Sequence, residues 1–173
     1  MNTLNINIII RFFLLVLVQG LVFNKFDLFG IYDPYVSVVF VLVFPIKINR
    51  ILFLIISFFF GLTLDYFTNS LGVNAAAFTI IAFIKPYIMS FVFGNFYNPH
   101  GVKMIKHYIM ESTIYQKILY ILLIILIHHF VMFSLESFAI DQLAIIIKKT
   151  IYNSFLSLIF CFTFIYLLVQ NER

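Results

Sequence analysis

The sequence predicts an all-α integral membrane protein built as a six-helix transmembrane bundle, on three observations. Of its 173 residues 64% are hydrophobic and only 10% charged, whereas an ordinary soluble domain carries roughly 45–50% and about 25%. Apolar stretches of roughly 17–25 residues recur along the whole chain, the length an α-helix needs to cross a hydrocarbon core about 30 Å thick. No Gly/Ser-rich linker, polar tail or dense charged block interrupts them, so residues 1–173 read as a single transmembrane domain.

The first helix is expected from about Ile6 to Phe23, and with no small-residue cleavage site after it, it reads as a retained span and not a signal peptide. Gly30 and Pro34 in "NKFDLFGIYDP" punctuate its end. The second, about Tyr35 to Ile46, is short: Pro45, Lys47 and Arg50 close in, so it must tilt, thin the bilayer or stop short of crossing. The third runs from about Ile51 to Phe67, "TNSLG" makes a tight turn, and the fourth runs from about Val73 to Phe93, where "GNFYNPHG" breaks it. The fifth and sixth are expected at about Ile118 to Phe138 and Thr150 to Val169.

Six crossings put both termini on one side. Arg11, Lys47, Arg50, Lys103, Lys106, Lys117 and Arg173 then share that side, against Lys25, Lys148 and Lys149 opposite, so both termini are expected in the cytoplasm. The net charge of +4 is scattered singly and forms no patch for nucleic acid. Between helices four and five, Val102, Ile105 and Ile109 fall at helical spacing with lysines off that face, the pattern of a short helix lying on the lipid headgroups.

The third and fourth helices carry the candidate site. Ser57, Gly61 and Asp65 repeat at four-residue steps and share one flank of helix three, while Ala75, Thr79 and Ala82 form a small-residue stripe on helix four. In lipid no hydrophobic force draws helices together, so small residues that admit close backbone contact mark the packing faces. Lys85 lies about twelve residues into helix four, where a charge costs roughly 2.5–3.5 kcal/mol. At about 1.5 Å per residue it sits roughly 15 Å deeper than Asp65, so snorkelling toward the cytoplasm is favoured over a direct pair. Pro86 frees the Ala82 carbonyl as a further acceptor.

Elsewhere the signals are weaker. His128 and His129 are adjacent on helix five and point about 100° apart, so one is expected to face the bundle and the two cannot share a metal without distortion. His107 and Glu111 are too few for a metal site. Thr150, Ser154, Ser157 and Cys161 form a packing seam on helix six, and Gln19 with Gly20 serves the same end on helix one. Cys161, the single cysteine, permits no internal disulfide. With no phosphate loop, H-E-x-x-H or G-x-S-x-G motif, no enzyme activity, metal or cofactor is expected.

The stretch Gly61, Leu62, Asp65, Gly72, Asn74, Ala75 and Ala76, followed by Lys85 and Pro86, resembles the rod shape-determining protein MreD family, together with the chain's size and layout of apolar segments. In that family a "G-L-x-x-D" helix end precedes "G-x-x-A" and a basic residue, commonly arginine. Asn74 stands here where histidine or another polar residue is often seen, and lysine at 85 removes any bidentate guanidinium contact. The resemblance implies a non-catalytic inner-membrane component of the bacterial cell-elongation machinery. Its partners would be MreC, the actin-like MreB filament, RodA and a penicillin-binding transpeptidase, with a fold similar to energy-coupling-factor substrate-binding subunits. Two functions are therefore in play: a scaffold whose hairpin docks a partner helix, or a small-solute-binding transporter subunit with Asp65, Asn74 and Lys85 facing a cavity.

Overall fold

The structure is a computed structural model that describes residues 2–25, 34–46, 48–94, 108, 111–137 and 140–170. Among these residues every regular element is helical, and there are no strands. Helix α1 (Asn2–Leu17) widens into a π turn (Val18–Val22) and ends in a 3₁₀ turn (Phe23–Lys25). A 3₁₀ turn (Val36–Val38) leads into the short α2 (Val39–Leu42). Then follow α3 (Arg50–Thr68), α4 (Val73–Phe93), α5 (Ile114–Ser137) and, after a 3₁₀ turn at Ile140–Gln142, α6 (Leu143–Gln170). Five helices, at Ile6–Lys25, Arg50–Thr68, Val73–Phe93, Ile114–Ser137 and Leu143–Leu168, are long and apolar enough to cross a bilayer, which makes this a multi-pass membrane protein.

Helices α3 to α6 pack in chain order, each against the next. Helices α1 and α3 run in the same direction, because Phe12 meets Phe60 (5.2 Å between rings) and Gly20 meets Phe67 further along both. The chain from 34 to 46 returns between them: Phe40 stacks on Phe60 and Phe44 on Phe53, each at 4.2 Å.

That returning stretch corrects the expectation of a second helix over Tyr35 to Ile46, since only four of its residues are α-helical. Every residue from Val36 to Phe44 is at most 2% exposed, so the segment is apolar on all sides because the bundle surrounds it on all sides. Valines at 36, 38, 39, 41 and 43 favour helix weakly, and Pro45 prevents extension. Packing by its neighbours, and not its own hydrogen-bond ladder, fixes its path.

Two boundaries also move. Helix α6 begins at Leu143 and not near Thr150, so Lys148 and Lys149 are exposed residues on a helix and not part of a loop. Helix α5 begins at Ile114 and not near Ile118, set by a capping box: Thr113 N–H donates to Gln116 Oε1 (3.1 Å) and Gln116 N–H to Thr113 Oγ1 (3.3 Å). The expected surface helix over 102–109 and His107 lie outside the described residues.

Candidate functional site

The α3–α4 hairpin is closed by a turn whose backbone the sequence allows. Asn69, in the left-handed region at φ 54°, ends α3, and Gly72 at φ 86° precedes α4. Nothing lies within 4 Å of a Cβ built on Gly72, so its requirement is conformational alone. Gly72→Ala is expected to cost about 1 kcal/mol, read as a small fall in melting temperature in detergent with the oligomeric profile unchanged.

Ser57, Gly61 and Asp65 are all buried, and Gly61 and Asp65 meet α4 directly. A Cβ on Gly61 would lie 2.6 Å from Ala75 Cα and 2.6 Å from Asn74 O, so the two backbones are in direct contact there. On α4, Asn74, Ala75 and Ala82 are buried, Ala76 and Pro86 are half-buried, and Thr79 turns its hydroxyl back to Ala75 O (2.7 Å). Leu62 lies outside this interface, 43% exposed.

Asp65 sits where α4 begins. Gly72, the residue that should cap α4, has no side chain to do so, and the first N–H groups of a helix have no partner within it. The Asp65 carboxylate supplies the cap from the neighbouring helix: Oδ1 accepts from Asn74 N (2.8 Å) and Oδ2 from Ala75 N (2.9 Å). Oδ1 also accepts from Ser70 Oγ (2.6 Å) and Asn74 Nδ2 (3.1 Å), and Thr68 and Ser70 close the network at 2.6 Å. A carboxylate at a helix N-terminus also meets the favourable end of the helix dipole.

Lys85 does a related task at another helix end. Its ammonium neither pairs with Asp65 nor snorkels out, and it does not take the Ala82 carbonyl; it donates to Val41 O and Phe44 O, each at 2.8 Å. Those carbonyls belong to the last turn of the buried segment, and Tyr120 Oη donates to Leu42 O (3.0 Å) beside them. The other end of the segment is held in the same manner. Ser37 N–H donates to Gln19 Oε1 (3.1 Å), Gln19 Nε2 to Pro34 O (3.3 Å), Tyr35 N–H to Ser157 Oγ (2.8 Å) and Cys161 Sγ to Tyr35 O (3.5 Å). In lipid an unpaired backbone group is costly, so four surrounding helices complete what a four-residue helix cannot. Gln19→Leu is accordingly expected to destabilise the fold by about 1–3 kcal/mol through the unpaired Ser37 amide, measured as loss of thermal stability in detergent.

Both His128 and His129 are fully buried, where one was expected to be. His129 Nδ1 bonds Ile125 O at 2.9 Å, and its ring lies near Ser154 and Ser157. His128 packs among Phe78 (4.7 Å), Tyr35 (5.7 Å) and His129 (5.5 Å), with no hydrogen-bond partner for either ring nitrogen among the described residues.

The structure thus brings Asp65 and Asn74 together but leaves Lys85 to a separate cluster with Tyr120 and the carbonyls at 41, 42 and 44. The part of Tyr120 was not foreseen, and no local spacing encodes it. No family model matches the chain, and neither the curated proteins nor the solved structures contain a match to it.

Proposed function

We propose that the chain is a non-enzymatic, multi-pass component of the bacterial cell-elongation complex in the inner membrane, with both termini cytoplasmic. In this reading it supports cell shape and lateral-wall peptidoglycan synthesis by packing against MreC and, through it, MreB, RodA and the transpeptidase. The motif of residues 61–86 suggests the family, and the use of its charges supports a structural role over a solute-binding one. Asp65 caps α4 and Lys85 holds the carbonyls of Val41 and Phe44, so the groups that would grip a solute already grip the chain's own backbone.

In this reading the docking surface lies away from the hairpin's inner flank. That flank is occupied at Gly61 and Asp65 by α4 of the same chain. A partner helix therefore meets the outer side of α3, where Phe59, Leu62 and Tyr66 are exposed. Mild detergent extraction of the tagged chain from its native cells should co-purify MreC, and joint substitution of Phe59, Leu62 and Tyr66 by alanine should reduce that recovery while the fold persists. Recovery of an energising ATPase in place of MreC would instead establish the transporter-subunit reading.

A further inference from the structure

We propose that the carbonyl oxygens of Val41 and Phe44 form a binding site for a monovalent cation, and that the Lys85 ammonium is its tethered occupant. Three features of the site lead there. The helix ends after Leu42, so the Phe44 oxygen lies beyond it and the Val41 oxygen accepts only one long backbone bond, from Phe44 N–H at 3.3 Å, which leaves both with room for a further donor. Both oxygens lie 2.8 Å from the Nζ of Lys85, a residue 3% exposed. The Phe53 ring lies 5.3 Å from the same nitrogen, adding the negative face of a π system.

Carbonyls at an unwound helix within a bilayer are the groups that coordinate small cations elsewhere, because they replace the hydration shell. Here the cation arrives on a side chain from α4. A covalent tether gives the ammonium an effective concentration that free ions in the surrounding solution do not match. Two consequences follow for the intact protein. Its central segment is held equally in any salt, and no solution ion can occupy or pass this point while Lys85 fills it. The inference stands independently of the cell-elongation reading.

Chemical rescue tests it. The purified wild type, Lys85→Ala and Lys85→Met are melted in detergent in choline, potassium, ammonium and methylammonium chloride at equal ionic strength. The wild type is expected to melt at one temperature in every salt. Lys85→Ala should melt about 5 °C or more below it in choline and recover most of that loss, saturably, in methylammonium. Lys85→Met, whose apolar chain fills the space without charge, should melt low and show no recovery. A Lys85→Ala protein indifferent to the cation, or a Lys85→Met protein as stable as the wild type, overturns the proposal. Where Lys85→Ala is not recovered folded from choline, the yield of folded protein on extraction with and without methylammonium takes the place of melting: a yield restored by methylammonium supports the site, and an unchanged yield overturns it.

Discussion

Gly61→Ala is expected to destabilise the protein by about 3 kcal/mol or more, a large effect for one methyl group. The reason is what the methyl would meet. Ala75 Cα, Asn74 O and Ala75 N all lie 2.6–2.7 Å from the position of the new carbon, and all are backbone. A side chain can rotate away, but here α4 itself must retreat, and with it the Asn74 and Ala75 amides that Asp65 caps. Gly20→Ala supplies the contrast. The nearest atoms to its Cβ all belong to the Phe67 side chain, Cγ at 2.8 Å, Cδ1 at 3.0 Å and Cβ at 3.3 Å, and Phe67 is exposed enough to swing aside about its Cα–Cβ bond. That variant should lose less, about 1–2 kcal/mol. Unfolding in detergent, compared between the two, checks the pair; equal losses would mean that backbone contact at Gly61 is not what sets the cost.

Asp65→Ala is expected to cost about 2–4 kcal/mol, the sum of a lost helix cap and of buried donors left without an acceptor. Four donors converge on the carboxylate, two from the α4 backbone and two from the side chains of Ser70 and Asn74. Asp65→Asn keeps one oxygen and should lose less, about half as much, because an amide accepts only through its carbonyl. Amide hydrogen exchange gives the sharper readout. In the alanine variant Asn74 and Ala75 should exchange faster, while amides in the middle of α4 keep their protection. Unchanged exchange at those two positions would remove the capping role.

Much of the hairpin is legible in the sequence. The apolar runs at 51–67 and 73–93 are uninterrupted and separated by Asn, Ser and Gly, so α3 and α4 appear within a residue or so of their observed limits. The repeat of Ser57, Gly61 and Asp65 marks the packing flank, because helical spacing is a local property. What was not legible depends on contacts between distant parts of the chain. Lys85 reaches carbonyls 41 and 44 residues earlier, and Ser157 holds Tyr35 from 122 residues away. No periodicity records such pairs. The start of α6 was missed for a different reason: Lys148 and Lys149 resemble a loop, yet their exposure lets long side chains carry the charge away from a continuous helix. The start of α5 was within reach, since Thr113 and Gln116 stand at capping-box spacing.

The buried stretch from Val36 to Phe44 has a consequence for biogenesis. Gln19 and Lys85 hold it from the π turn after α1 and from α4, but its entry at Tyr35 is anchored to Ser157 and Cys161 in α6, so a nascent chain without α6 leaves that end unsecured. Early in synthesis the piece is too short to settle stably across the lipid by itself. The backbone contacts of the segment are therefore complete only once α6 has entered the membrane, because Ser157 follows Tyr35 by 122 residues.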